Sequence, residues 1–356
     1  MTIKTSSDFP KISVLMPTYN GAKLLSETID SILNQTFKDF EFIIINDCSP
    51  EDETDKIIAK YNDPRIRYIY NDKNLGISGS SNKGISLARG KYIARQDHDD
   101  ISLPTRLEEQ YNYMESHPEV GICGAYFKSF GQKFLKGKGT IRPVESNEIK
   151  AALFNRCPIL HPVSMMRKEL FDKHCLKYDE SFKTANDLKL WIDASKITEF
   201  HNIPKVLFKQ RKHSNRTSKV QKITAQNERN RLFDIKFDKM SIKLSQGERE
   251  IFYNYILGHK SKNIGIDLLL KIEDILISLV KANQKSTYFP VNEFNKIIGK
   301  YWFKRCQYFM EKNKKSVGKY YSGSELSKYS DKICLRETLI FKILSFLLPN
   351  QKDVVN

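Results

Sequence analysis

Apolar positions in the first 125 residues fall into short runs separated by stretches with helical spacing. Ile12–Met16 is rich in β-branched residues and is closed by Pro17. In Ala22–Leu33, the positions Leu24, Leu25, Thr28, Ile29, Ile32 and Leu33 recur three and four apart, which predicts one buried helix face. Phe40–Ile45 is an apolar run broken only by Glu41, as in a strand covered on both faces. Glu51–Tyr61 predicts a helix, with Asp47, Ser49 and Pro50 supplying turn and cap chemistry. Ile66–Tyr70 predicts a third strand and Ile77–Ala88 a helix ended by Gly90. Tyr92–Ala94 is a short strand running straight into Asp97-His98-Asp99-Asp100. Alternation of this kind predicts an α/β fold with a doubly wound, mostly parallel sheet.

In such a sheet, ligands sit in the crevice beyond the carboxyl ends of the strands. Three polar clusters fall there: Thr18-Tyr19-Asn20, Asn46-Asp47 and Asp97 to Asp100. Beyond Phe130 the pattern loosens. Lys133–Thr140 is a basic, glycine-bearing stretch expected to be a loop, and Ser146–Asn155 is expected to be a helix. The segment His161–Met166 follows, then a short helix over Asn186–Ala194, and residues 199–210 alternate like a strand. From about Thr224 the chain reads as helical, with runs such as Arg249–Leu257 and Ile264–Val280. There is no internal repeat. The expected division is a sheet domain over 1–220 and a basic, mainly helical domain over 221–356.

Composition adds limits. The 356 residues are 40% hydrophobic and include 21 Phe, enough for a packed core. No stretch approaches the ~20 apolar residues of a bilayer crossing. The opening MTIKTSSDFPK lacks the apolar run of a signal peptide, so cytoplasmic residence is the expectation. The six cysteines are scattered without CxxC or zinc spacing, which predicts free thiols. The net charge of +17 is uneven: residues 221–356 hold 25 Lys/Arg against 14 Asp/Glu, and residues 1–220 hold 34 against 28. Such a surplus suits anionic lipid, nucleic acid or a phosphorylated substrate, or is a solvated face. No zinc module or aromatic-basic motif appears, so nucleic acid is not an expected partner. Residues 335–349 (LRETLIFKILSFLLP) carry a dense apolar run, too short to span a bilayer. On a helix they would make one wide apolar face, suited to an anionic membrane surface or to docking against the protein itself.

The candidate chemistry begins at Asp97-His98-Asp99-Asp100. Crowded carboxylates repel one another unless a cation or hydrogen-bond donors compensate. A hard ion, Mn²⁺ or Mg²⁺, bridging to a diphosphate is one compensation; the other reading is an acidic turn capping a helix that starts near Pro104. The surroundings change the balance. Leu15-Met16-Pro17-Thr18-Tyr19-Asn20, Ile32-Leu33-Asn34-Gln35-Thr36 and Phe40 to Ser49 together resemble family 2 glycosyltransferases. So do Arg89 to Ala94 leading into the aspartates, and Pro104-x-Arg106-Leu107 beyond them. The resemblance is strong over roughly 110 residues, weaker to about 218, and absent after that.

The resemblance implies a GT-A fold and an inverting, metal-dependent transfer of a hexose or N-acetylhexosamine from a UDP-sugar donor. The acceptor would be a hydroxyl of a glycan or lipid-linked glycan in surface-polysaccharide synthesis. It places Pro17, Thr18, Tyr19 and Asn20 in the nucleoside pocket and Asp47 against the uracil imide. At the turn that holds Asp47, Asn46 and Cys48 stand where the family has an acidic residue and a glycine. Asp97 would meet the ribose or the metal shell, Asp99 would be the direct metal ligand and His213 a third ligand. Asn186-Asp187-Leu188-Lys189-Leu190-Trp191 resembles the segment whose aspartate is the catalytic base, which assigns that role to Asp187; helix capping is its plain alternative. Arg211, with Lys212 and Arg216, would neutralise the departing UDP. His161 reads as structural support for the acceptor pocket. Two further alternatives are a sugar nucleotidyltransferase and a catalytically inactive, nucleotide-sugar-binding relative. Pro17–Gly21 is not the Gly-rich, Lys/Arg-bearing phosphate loop of the first, and intact Asp97, Asp99 and Asp187 speak against the second.

Overall fold

The computed structural model describes residues 9–50, 53–131, 140–213, 221–258, 265–313, 321 and 323–330. The chain forms two compact units, Met1–Arg229 and Asn230–Asn356. The first is built in the order β1 (Ile12–Thr18), α1 (Ala22–Leu33), β2 (Phe40–Asn46), α2 (Thr54–Ile58), β3 (Ile66–Tyr70), α3 (Gly76–Leu87) and β4 (Tyr92–Arg95). It continues with β5 (Ile101–Ser102), α4 (Arg106–Ser116), β6 (Val120–Phe130), α5 (Ser146–Ala152), β7 (Met165–Arg167), α6 (Glu169–Asp172), α7 (Asn186–Ala194) and β8 (Glu199–Arg211). Helix α8 (Lys222–Lys239) carries the boundary between the units.

One eight-stranded sheet has the order β3-β2-β1-β4-β7-β6-β8-β5. Strands β3, β2, β1 and β4 are mutually parallel, and β6 pairs parallel with β8. Strands β7 and β5 run against their neighbours. The expected doubly wound, mostly parallel sheet is thus borne out, with a helical C-terminal region. All seven residues of β1 and of β2 are buried, as expected of mainly apolar strands covered on both faces. Val14, Met16, Phe42 and Ile44 pack with Leu25, Ile29 and Ile32 of α1. On α3, a side-chain carbon at Gly84 would lie 2.2 Å from Leu15 Cδ1, so any larger residue would have to displace Leu15 from the core. Glu41, within the apolar run, is buried and accepts from Ser13 Oγ (2.6 Å), Arg89 N (2.7 Å) and the Arg67 guanidinium. Burial would raise its carboxyl, and those donors outweigh burial and hold it below the ordinary glutamate range.

Some elements differ from the sequence pattern. The helix expected over Glu51–Tyr61 is Thr54–Ile58, with Glu51 and Asp52 outside the described residues. The segment His161–Met166 resolves into a 3₁₀ turn, His161–Val163, followed by β7. Strand β6 was not signalled by the pattern, because it is apolar on both faces and interrupted by Gly121 and Gly124. Of the basic stretch Lys133–Thr140, only Thr140 lies among the described residues.

In the second unit, Gln246–Ile251 begins with a capping box between Ser245 and Glu248. A π-helical turn follows over Phe252–Ile256, then α-helices over Ile266–Ser286 and Val291–Asn313 and a short one over Ser327–Ser330. The long helices bury Leu269, Ile272, Leu276, Phe294, Ile298 and Trp302. No helix among the described residues is long and apolar enough to cross a membrane. The apolar segment 335–349 lies outside the described residues.

Candidate active site

The order β3-β2-β1-β4 brings the carboxyl ends of β1, β2 and β4 to one rim. Register pairs Thr18 with Asn46 and Leu15 with Arg95. Pro17 and Thr18 close β1 and are both buried, and the Thr18 hydroxyl lacks a hydrogen-bond partner among the described residues. Tyr19 is 45% exposed. Asn20 turns the chain at φ +51° and donates its N–H to Ser49 Oγ at 3.0 Å. Asp47 is buried; its Oδ1 accepts from Asn71 Nδ2 (2.9 Å) and Leu75 N (2.8 Å), and its carbonyl accepts from Asn74 Nδ2 (3.1 Å). Cys48, next in line, adopts a left-handed φ of +57°, which explains why a glycine suits this position.

The aspartate loop is moulded from beneath. Gln96 Nε2 donates to the carbonyls of Asp97 and Asp100, each at 3.0 Å. Buried Arg106 donates to Gln96 Oε1 (3.0 Å), Ser102 Oγ (2.8 Å) and the Arg95 carbonyl (2.6 Å). Burial pushes Arg106 down to about 9, still protonated at neutral pH. The Thr28 hydroxyl lies 2.8 Å from the His98 carbonyl, and Gln35 bonds the Leu103 carbonyl at 2.8 Å. The Gln35-Thr36 and Pro104-x-Arg106 patterns are therefore scaffolding for the loop.

In this loop Asp97, Asp99 and Asp100 offer carboxylate oxygens that all lie within 4.8 Å of one another. The donors differ for each. Asp97 pairs with buried Arg95 at 3.1 Å, Asp99 Oδ2 is 2.7 Å from His213 Nε2, and Asp100 Oδ1 accepts from Arg211 N at 2.7 Å. Oxygen-rich donors with one imidazole suit a hard divalent ion. Arg211 sits here too, but its guanidinium is engaged by the Asp99 carbonyl (2.9 Å) and Glu27 (2.8 Å) and lies over the Phe130 ring. Lys212 Nζ donates to Gln210 Oε1 at 2.6 Å, and Arg216 is outside the described residues.

Asp187 occupies the first turn of α7, whose N-cap is Ala185 with no side-chain cap bond. Asp187 Oδ1 accepts from Leu188 N at 2.7 Å, and Oδ2 faces the Cys157 thiol at 3.3 Å. Burial raises the Asp187 carboxyl above the ordinary aspartate range, against the lowering effect of Cys157, the Leu188 N–H and the charge of Arg229. Between this carboxylate and the loop lies a buried polar chain. Arg95, paired to Asp97, also donates through Nε to His161 Nε2 at 3.3 Å, and Tyr178 Oη is 2.6 Å from the same nitrogen. Burial and the Arg95 charge hold His161 well below its usual value, so it is neutral, with Nε2 accepting from Arg95 and lying beside the Tyr178 hydroxyl. The Tyr178 hydroxyl senses the charges of both Asp187 and Asp97.

The sequence pattern did not single out Arg95, Asn71, Cys157 or Tyr178. Arg95 is preceded by an apolar strand and reads as its solvated end, yet it is fully buried.

The comparisons with known proteins agree with this geometry. The model of glycosyl transferase family 2 matches residues 13–175. An uncharacterised glycosyltransferase of Methanocaldococcus jannaschii is 41% identical over 192 residues, covering 52% of this chain and 64% of its own length. One from Haemophilus influenzae is 33% identical over 221 residues, covering 59% of this chain and 68% of its own. Among solved structures, S. aureus TarS 1–349 in complex with UDP-GlcNAc superposes with a TM-score of 0.58 at 16% identity, over 85% of this chain and 91% of that one. At that identity the likeness concerns the fold. A sheet of GT-A type, an acidic cluster at its switch point and relatives of this closeness lead to one conclusion: the chain belongs to glycosyltransferase family 2.

Proposed function

We propose that the protein transfers a hexose or N-acetylhexosamine from a UDP-sugar to a glycan hydroxyl, with inversion at the anomeric carbon. The observation that carries the reading is the oxygen-rich cluster Asp97–Asp99 with His213 at the β4 end, backed by the buried Arg95–His161–Tyr178 chain, whose Tyr178 hydroxyl senses the charge of Asp187. The UDP-GlcNAc complex of TarS supports the donor class. Thr18, Tyr19, Asn20 and Asp47 would hold the nucleoside. Exposed Tyr19 offers its ring to the base, and Asp47 has Oδ2 for the uracil imide because Oδ1 is held by Asn71 and Leu75.

Asp99, Asp97 and His213 would hold Mn²⁺ or Mg²⁺. When bound, such an ion supplies charge neutralisation on the departing diphosphate. Asp187 takes the proton of the attacking hydroxyl as oxygen joins the anomeric carbon. Its raised carboxyl pKa brings the base nearer to neutral pH, where proton transfer is driven more strongly. Arg95 orients Asp97 through the 3.1 Å pair. Arg211, with its side chain engaged by Glu27 and Asp99, positions the loop that bears His213.

The acceptor belongs to surface-polysaccharide synthesis in this reading, and the charge surplus of residues 221–356 suits a peripheral berth on an anionic membrane. The test is a panel of UDP-, GDP- and TDP-sugars with the protein and Mn²⁺, scored by nucleotide release. Release of UDP from a UDP-sugar supports the proposal, and selective turnover of a GDP- or TDP-sugar overturns the donor assignment.

A further inference from the structure

We propose that Glu228 is a positioning residue for this transfer: its carboxylate holds the segment 183–185 and so sets where α7 presents Asp187. The proposal rests on the reading of Asp187 as the base. Glu228 stands on α8, beyond the residues matched by the family model. It is buried, and its two oxygens accept four bonds from three consecutive residues: Lys183 N (2.6 Å), Thr184 N (2.8 Å), Thr184 Oγ1 (2.7 Å) and Ala185 N (2.9 Å). A carboxylate seated in successive N–H groups is a strong, directional clamp. Burial would raise the Glu228 carboxyl, but these bonds outweigh it and hold the carboxyl below the ordinary glutamate range.

The clamped residues lead directly into the helix. Ala185 is the N-cap of α7 and brings no side-chain cap; Asn186 and Asp187 accept locally from Asp187 N and Leu188 N, while the residues leading into the helix are held from elsewhere. On one side Asn186 Nδ2 donates to Ser78 Oγ of α3 at 3.2 Å, and on the other Glu228 grips from α8. The next residue of α8, Arg229, places its charge where it lowers the Asp187 carboxyl. Two successive residues of α8 therefore act on the same carboxylate, one through its backbone position and one through its charge. The body of α7 is anchored separately by buried Leu188, Leu190 and Trp191, so loss of Glu228 frees the entry while the helix keeps its core contacts. A displacement of about 1 Å of a catalytic group is enough to cost up to ~10²-fold in rate.

The experiment compares Glu228→Ala and Glu228→Gln with Asp187→Asn in the full chain. It measures kcat for UDP release from the best donor of the panel, UDP affinity by calorimetry, and Tm. The expected result is a kcat lowered about 10- to 100-fold in Glu228→Ala, and less in Glu228→Gln, with UDP affinity within about two-fold of wild type. Wild-type kcat in Glu228→Ala beside an inactive Asp187→Asn overturns the positioning role and leaves the base intact. Equal losses of kcat and UDP affinity reveal general damage and also overturn it. Full activity in Asp187→Asn defeats the base and the proposal together. If Glu228→Ala does not fold, Glu228→Gln, which keeps the volume, decides by the same measurements.

Discussion

Replacing Asp187 by asparagine separates proton transfer from structure more cleanly than any other change in the site. The new side chain keeps an oxygen for the Leu188 N–H, now bonded at 2.7 Å, and its volume is unchanged. What it loses is the thiol bond from Cys157 at 3.3 Å, a contact of neutral-donor type contributing about 0.5–1.5 kcal/mol. For a unit of this size that is a Tm change of a few degrees, at about 2–4 °C per kcal/mol. The catalytic loss is of another order. Removing a general base costs about 10²–10⁴ in rate, or roughly 3–5 kcal/mol of barrier. UDP release is followed at saturating donor, with Tm and UDP affinity measured on the same preparation. In wild type the acid limb of kcat lies above the ordinary aspartate value, because burial raises the Asp187 carboxyl and the base works only when ionised. The variant lacks that limb. A folded Asp187→Asn protein with near-normal kcat would refute the reasoning and return the residue to a local role at the start of α7.

The other expectations concern binding and backbone strain. Asp99→Ala should abolish Mn²⁺ binding measured by calorimetry, and chelation should stop turnover until Mn²⁺ or Mg²⁺ is restored; undiminished Mn²⁺ affinity in the variant removes the metal assignment. Asp47→Ala should weaken UDP by about 1–3 kcal/mol, since it removes both the remaining carboxylate oxygen and the anchor of Asn71 and Leu75. UDP affinity within two-fold of wild type counts against Asp47 as a base reader. At Cys48, where φ is +57°, glycine should leave Tm unchanged or raise it by up to about 1 kcal/mol in stability, whereas valine should lower it. The reverse order of Tm would show that the left-handed backbone is not what selects the residue.

Much of the sheet was legible because β1, β2 and β4 are apolar runs closed by polar residues, and α1 keeps a three- and four-residue apolar spacing. The aspartate cluster announced itself by crowding charges after a strand. What stayed hidden depends on distant partners. Arg95 looks like the polar end of a short strand until the fold buries it between Asp97 and His161. Glu228 looks like one of many charges on a polar helix, and nothing local shows that it binds three N–H groups more than forty residues earlier. Strand β6 escaped because its glycines interrupt the apolar pattern; they are required where a Cβ at Gly121 or Gly124 would meet Thr198 or Asn202. Arg211, expected to neutralise the departing UDP, bonds through its side chain to Glu27 and the Asp99 carbonyl, contacts that no local pattern foretells.

The proposed reaction is a single in-line displacement on a UDP-sugar with Asp187 as its base. Proton NMR of the product made from an α-linked UDP-sugar tests this most directly, because the anomeric coupling reports the configuration of the new linkage. Inversion yields the β anomer, formed together with UDP. An α-linked product, or donor left intact in the presence of Mn²⁺ and acceptor glycans, would contradict it.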